Sequence, residues 1–199
     1  MMTDSTRHLD LGCGLNPFNP YSRDCLYGCD IRDIDESFDG LSFEYKKANL
    51  VTSKIPFPDS FFDSVSAMDF LEHIPRQMML PEGQMCNPFV NLMSEIHRVM
   101  KPGGIFLAMT PCYPHPSAFV DPTHVNIITE DTHSYFVGEE PIASMYGFTG
   151  RFAVKRVAWE TPNNVRNTID SEFRKSLRRF QQKWFRNGLS HQYWELVAL

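Results

Sequence analysis

The sequence predicts an α/β fold in which a mostly parallel sheet carries helices on its faces, and three observations predict it. Short apolar runs of β type alternate with helix-like segments as far as Thr110. A glycine turn, Gly12-Cys13-Gly14, follows the first run directly. A strongly amphipathic segment near mid-chain then turns straight into a buried strand.

Taken in order, the expected strands are Arg7 to Leu11, Cys25 to Ile31, Phe43 to Lys47, Asp63 to Met68 and Gly104 to Thr110. Between the first two, Pro17, Pro20 and Gly28 leave little room for a long helix, so that connection is expected to be partly irregular. The clearest helix runs from about Asn87 to Met100, with Phe89, Leu92, Met93, Ile96, Val99 and Met100 in one apolar stripe and Pro102-Gly103-Gly104 ending it. After Thr110, Pro111, Pro114, Pro116 and Pro122 punctuate a stretch rich in His and aromatic residues, which fits a functional loop or lid. Alternation returns at Phe152, Val154, Arg156 and Ala158 and again from Tyr193 to Leu199. These are two closing strands, with a basic helical stretch from about Asp170 to Arg186 between them. One domain, residues 1–199, is expected, with insertions at about 75–88 and 111–150.

Composition narrows the function. Hydrophobic residues at 42% and charged residues at 22% describe a folded, soluble chain, and a net charge of -5 argues against a general polyanion binder. The cysteines Cys13, Cys25, Cys29, Cys86 and Cys112 are odd in number and lack CxxC spacing, so they read as the reduced thiols of a cytoplasmic protein. No run approaches the roughly 20 apolar residues of a membrane span, and Asp4, Arg7 and Asp10 interrupt any secretory segment near the start. Small-molecule chemistry is the expectation; nothing in the sequence speaks to oligomeric state.

The glycine turn is the first chemical signal. A strand ending in Asp10-Leu11, followed by Gly12-Cys13-Gly14, puts residues without a Cβ where the backbone must turn sharply and approach a ligand. Alone it also reads as a plain tight turn. Asp30, at the end of the second strand, stands about where α/β nucleotide-binding folds hold ribose hydroxyls on a carboxylate. The dinucleotide fingerprint would want a third glycine at position 17, where Pro17 sits, so an NAD-dependent oxidoreductase is the runner-up among cofactor users.

With these residues in view, the chain resembles the class I S-adenosylmethionine-dependent methyltransferases, the type 11-like group with LDLGCG loops. Four blocks carry the resemblance: Leu9 to Gly14, Gly28-Cys29-Asp30, Ile55-Pro56-Phe57-Pro58-Asp59-Ser60-Phe61-Phe62-Asp63, and Glu95-Ile96-His97-Arg98-Val99-Met100-Lys101-Pro102-Gly103-Gly104. The resemblance implies a Rossmann-like, doubly wound, seven-stranded sheet whose last strand is antiparallel. It implies S-adenosylmethionine as cofactor and S-adenosylhomocysteine as product. Asp10, Gly12, Cys13 and Gly14 would hold the methionine moiety, Asp30 the ribose hydroxyls, Ile31 the adenine face, and Asn49 the adenine amino group with Leu50 beside it. Met68 would lie against the cofactor. Each has a bland counterpart: Asp10 as a turn cap, Asn49 as a loop residue, Met68 as core filling.

The acceptor side is expected in two places. Asp69, Glu72 and His73 follow the fourth strand, and His115, Asp121 and His124 follow the fifth. Oxygen or nitrogen acceptors use a general base, for which His124, His115, Asp121, Asp69 and His73 are the candidates. The second group also suits loop stabilisation, and its ligand types suit a metal, although the spacing is not diagnostic and no metal is assigned. His97 reads as a surface or packing residue; His8, His133 and His191 carry no signal. The first strand begins close to the start, so an N-terminal substrate cap is expected to be missing and the insertions to shape the acceptor pocket.

Nucleic-acid methylation fits poorly. Enzymes acting on base amines carry a [DNS]PP[YF] motif where this chain has Ala67-Met68-Asp69-Phe70, and Pro111-Cys112 follows the fifth strand, whereas the nucleophilic Pro-Cys of cytosine-C5 enzymes follows the fourth. Arg174, Lys175, Arg178, Arg179, Lys183 and Arg186 read as the solvated face of a helix. The expected activity is methyl transfer to an oxygen or nitrogen of a small molecule, such as a sugar or sugar-nucleotide intermediate. A non-catalytic S-adenosylmethionine-binding protein is the rival from outside enzymology.

Overall fold

The computed structural model describes residues 5–33, 43–166, 171–185 and 188–199. Its strands in chain order are β1 (Arg7–Leu11), β2 (Cys25–Asp30), β3 (Glu44–Lys47), β4 (Phe62–Met68), the short β5 (Met78–Met79) and β6 (Met85–Cys86), then β7 (Met100–Pro111), β8 (Phe152–Glu160) and β9 (His191–Ala198). Its helices are α1 (Pro88–Val99), α2 (Ser117–Val120), α3 (Pro162–Arg166) and α4 (Glu172–Phe185). Seven strands form one sheet in the order β3-β2-β1-β4-β7-β9-β8, and β5 with β6 makes a separate hairpin. Within the sheet β9 runs antiparallel to both neighbours, β7 and β8, while the other pairs are parallel. This is the expected doubly wound sheet with an antiparallel last strand.

The reason lies in the side chains. Leu9, Leu11, Val65, Ala67, Phe106 and Ala108 are buried on the central strands, the pattern of a sheet covered on both sides. The stripe of α1 lands as its spacing predicts: Phe89, Leu92, Met93, Ile96 and Val99 are all buried. Pro88 starts the helix at a position where its missing N–H costs nothing. Met100 is already extended, so the helix ends before Pro102-Gly103-Gly104 and the strand begins earlier than Gly104. The pairing register jumps here, from Phe62 opposite Met100 to Ser64 opposite Ile105, and Gly103 takes φ +78° in the extra loop.

Arg98 joins two of the sequence blocks. Its guanidinium donates to the carbonyls of Ile55 (2.8 Å) and Phe57 (3.0 Å) and to Asp59 (2.6 Å) and Glu95 (2.6 Å), while Glu95 accepts the Ile55 N–H at 3.0 Å. Next to this lock, Tyr27, Phe57 and Phe61 each meet Phe62 edge to face, with Phe61 and Phe62 5.0 Å apart.

No helix lies between β1 and β2, as Pro17 and Pro20 foretold. The stretch after β7 carries only α2 and two 3-10 turns, Thr132–Phe136 and Ile142–Tyr146. The basic helix is present as α4, though its expected ends, Asp170 and Arg186, lie outside the described residues. No helix among the described residues is long and apolar enough to cross a membrane. The strand order reverses between β1 and β4, and the crevice at their carboxyl ends is where an open α/β sheet places its ligand.

Candidate active site

β1 carries Asp10 to that crevice and the glycine turn bends the chain away from it. Gly12 and Gly14 take φ +67° and +56°, a region costly for residues with a Cβ. The Gly12 N–H donates to the Cys29 carbonyl at 2.8 Å, tying the turn to β2. A Cβ on Gly12 would sit 2.6 Å from the Phe70 ring, and one on Gly14 2.8 Å from the Arg32 guanidinium.

Asp10 is 4% exposed. One of its oxygens accepts the Phe18 N–H at 2.8 Å and the other accepts the Ser66 hydroxyl. Ser66 in turn lies 2.9 Å from His8 Nε2, and His8 Nδ1 lies 2.8 Å from Ser64 Oγ. Burial pushes the Asp10 carboxyl up to about 7, against its hydrogen bonds and the charge of Arg166, and the same burial pushes His8 down to about 3. His8, silent in the sequence, is thus a neutral support for Asp10.

Asp30 ends β2 and accepts the Gly14 N–H at 2.9 Å. Burial would raise its carboxyl, but the Arg32 side chain at 2.8 Å, the Arg32 N–H and the Gly14 N–H outweigh burial and hold it down at about 2. Ile31, next in line, is 58% exposed at the crevice edge. The Ala48 N–H donates to the Asp30 carbonyl at 2.9 Å, bringing the end of β3 and Asn49 alongside. Asn49 Oδ1 accepts the Val51 N–H at 3.1 Å, so it shapes its own turn, while Leu50 is buried and Met68 half-buried opposite Met109. Cys13 is buried, and burial pushes its thiol up to about 12, which leaves it unreactive. An ionised carboxylate, an exposed aliphatic face and a turn without Cβ atoms at one sheet edge fit the ribose, adenine and methionine parts of S-adenosylmethionine. The Arg32 guanidinium that occupies Asp30 is itself 64% exposed.

Beyond Met68 the chain turns through Asp69, held at φ +52° with its N–H on the Met109 carbonyl. There a cavity of about 380 Å³ opens, lined by Asp69, Glu72, His73, Asp121, His124 and His191 among others. Glu72 is 2% exposed; its Oε2 accepts the Thr110 hydroxyl at 2.8 Å, and its Oε1 has no hydrogen-bond partner. Burial pushes its carboxyl up to about 7, with the charges of Asp69 and Asp121 adding to the effect. His124 Nε2 lies 4.0 Å from Glu72 Oε1 and 4.0 Å from Asp121 Oδ2, and the His73 and His124 rings meet edge to face at 4.9 Å. Five expected acceptor-side residues, Asp69, Glu72, His73, Asp121 and His124, therefore share one cavity.

His115 does not line it. Its Nδ1 lies 2.8 Å from Ser117 Oγ and accepts the Ser117 N–H at 3.1 Å, which fixes the start of α2. Two residues without a motif do belong here. His191 Nε2 lies 3.1 Å from Asp69 Oδ1, and Arg166 donates to Asp69 Oδ2 at 3.0 Å. Both come from late elements, β9 and α3, that only the sheet order brings to β4.

The fold agrees with what the chain is similar to. A family model described as a methyltransferase domain matches residues 9–108, half of the chain. An S-adenosylmethionine-dependent methyltransferase from Mesorhizobium loti superposes with a TM-score of 0.58 at 13% identity, over 97% of this chain and 91% of that one. One from Archaeoglobus fulgidus gives 0.51 at 20% identity, over 98% and 86%. No curated protein matches the sequence. The chain belongs to the methyltransferase domain family, and it is a class I enzyme that uses S-adenosylmethionine.

Proposed function

We propose that this enzyme methylates an oxygen or nitrogen of a small polar molecule, such as a sugar or sugar-nucleotide intermediate, seated in the cavity beside Glu72, His73 and His124. The observation that carries the reading is the unpartnered Oε1 of Glu72, buried in that cavity two residues along the chain from Phe70, whose ring lies against Gly12. A buried acceptor atom with no donor is costly unless something fills it, and a polar ligand does so.

The cofactor supplies an electrophilic methyl group on a sulfonium, with a neutral thioether as leaving group. Asp30 would take the ribose diol, Ile31 would pack on the adenine, and the Asn49 carbonyl, with Leu50 beside it, would accept from the adenine amino group. Asp10, Gly12, Cys13 and Gly14 hold the methionine part, with Met68 packed against it. In-line displacement then depends mainly on alignment and on exclusion of water. The Asp69, Glu72, His73, Asp121 and His124 cluster orients the acceptor, polarises its hydroxyl or amine and draws off its proton. His124 is prepared for this: its Nδ1 faces the Ala118 carbonyl at 3.2 Å, which can only accept, so the lone pair sits on Nε2 toward the cavity. A cytoplasmic site of action is part of the proposal, supported by five free cysteines. A nucleic-acid substrate is not.

Two substitutions test the assignments. Asp30→Ala is expected to weaken S-adenosylhomocysteine binding by about tenfold or more, since two hydrogen bonds to a charged group are lost. Calorimetric titration reads this, and unchanged affinity removes Asp30 from the cofactor site. His124→Ala is expected to lower cofactor turnover with small polar acceptors by roughly 100-fold while leaving S-adenosylhomocysteine affinity within about twofold. Unaltered turnover removes His124 from the reaction.

A further inference from the structure

The acceptor-side cluster has a second feature. Among the described residues, Glu72, His73 and His124 each offer one ligand atom, and the three atoms lie within 4.8 Å of one another. Hydrogen bonding does not account for their convergence. His124 Nε2 is 4.0 Å from Glu72 Oε1, and Glu72 Oε1, though almost completely buried, has no partner.

Both imidazoles are fixed in the same tautomer. His73 Nδ1 faces the Thr123 carbonyl at 3.3 Å and the Thr123 hydroxyl at 3.1 Å. That hydroxyl donates to Asp121 Oδ1 at 2.6 Å, so it accepts from His73. His124 Nδ1 faces the Ala118 carbonyl at 3.2 Å. A carbonyl oxygen has no proton to give, so each ring carries its N–H on Nδ1 and its lone pair on Nε2. An imidazole oriented by an Nδ1–H bond to a backbone carbonyl is the usual state of a metal-ligating histidine. The remaining oxygen of Glu72 is held in turn by Thr110 at 2.8 Å, which orients the carboxylate as a ligating carboxylate is oriented.

We propose that Glu72, His73 and His124 bind one divalent first-row transition cation. Metal–ligand bonds of about 2.0 to 2.2 Å place tetrahedral neighbours about 3.3 Å apart. Closing the present separations takes side-chain shifts of about 1 Å. Two imidazoles and a carboxylate leave positions open toward the cavity, and imidazole suits zinc, iron, nickel and copper better than calcium or magnesium. An acceptor that ligates through oxygen suits those open positions; with the ion bound, His124 Nε2 is a ligand, and Asp69 and Asp121 at the same cavity are the groups left to draw off the acceptor proton. That use of the ion rests on the methyl-transfer proposal; the binding of the ion does not.

The test uses the intact protein, freed of metal by chelation and titrated with CoCl2 and then ZnCl2, with neither cofactor nor acceptor present. One Co2+ per chain with visible d–d absorption is expected, displaced by Zn2+. Glu72→Gln, nearly isosteric and neutral, and His124→Ala are each expected to weaken binding at least tenfold, whereas His133→Ala, whose Nδ1 faces the Glu130 carbonyl outside the cluster, is expected to bind as wild type. Should His124→Ala fail to fold, Glu72→Gln alone decides. Absence of Co2+ absorption at millimolar metal, or binding undiminished by Glu72→Gln, overturns the proposal. S-adenosylhomocysteine affinity of the metal-free protein, measured separately, shows whether the cofactor reading stands by itself.

Discussion

Asp10 sets the chemistry of the cofactor loop through its burial. Burial pushes its carboxyl up to about 7, from an ordinary 3.8, and each unit of difference is worth about 1.4 kcal/mol. A carboxyl raised in this way favours the folded state when protonated. The contribution is complete below pH 3.8 and is lost as the pH rises through about 7. Ligand-free wild type is therefore expected to lose stability relative to Asp10→Asn between these limits, by a few kcal/mol, in paired thermal melts. The ammonium group of the cofactor favours the ionised form, so S-adenosylhomocysteine affinity is expected to rise from pH 6 to 8 in wild type and to stay flat in Asp10→Asn. Equal slopes in the two proteins would show that Asp10 does not face the ligand's charge. The sequence marked Asp10, Gly12, Gly14 and Asp30 because turn and strand end are local features. It did not mark His191, Arg166 or the His8 support, because their partners lie far along the chain, such as Asp69 to Arg166. His115 shared the residue types of His124 and only the path of the loop tells them apart.

At the scale of elements, the blocks Ile55 to Asp63 and Glu95 to Gly104 turn out to be structural. Arg98 binds two backbone carbonyls and two carboxylates across them, and Ser60 and Phe61 donate to the carbonyls of Arg98 and Val99 at 2.9 and 2.8 Å. This fixes the lead-in to β4, and hence the height at which Asp69 and Glu72 leave the sheet. Arg98→Ala is expected to cost about 2–4 kcal/mol in denaturant unfolding, and Arg98→Lys to recover little, because an ammonium lacks the planar fork that reaches two carbonyls at once. S-adenosylhomocysteine affinity should stay within about threefold, and a large loss of affinity with intact stability would contradict the structural role. Strands and α1 were legible because their periods are strong. The edges were less so: β7 starts at Met100 because the Lys101 to Gly104 loop bulges within the pairing and does not precede it.

At the scale of the molecule, a single sheet gathers the site from both ends of the chain. The glycine turn follows β1, the Asp69 to His73 group follows β4, the Asp121 and His124 loop follows β7, and His191 opens β9. Sheet order was implied by resemblance, since no local pattern states which strands pair. The loop after β7 was legible only as irregular, because its conformation is set by bonds such as Val125 and Asn126 N–H to the Glu72 carbonyl, both 2.9 Å, that no periodicity announces. The glycine turn after β1 and the cavity after β4 stand on either side of the switch point between these two strands. A crystal structure of the S-adenosylhomocysteine complex tests this most directly. The predicted result has ribose hydroxyls on Asp30 in place of Arg32 and the sulfur facing the cavity of Glu72, His73 and His124; a ligand bound elsewhere, or a sulfur turned away from that cavity, would contradict it.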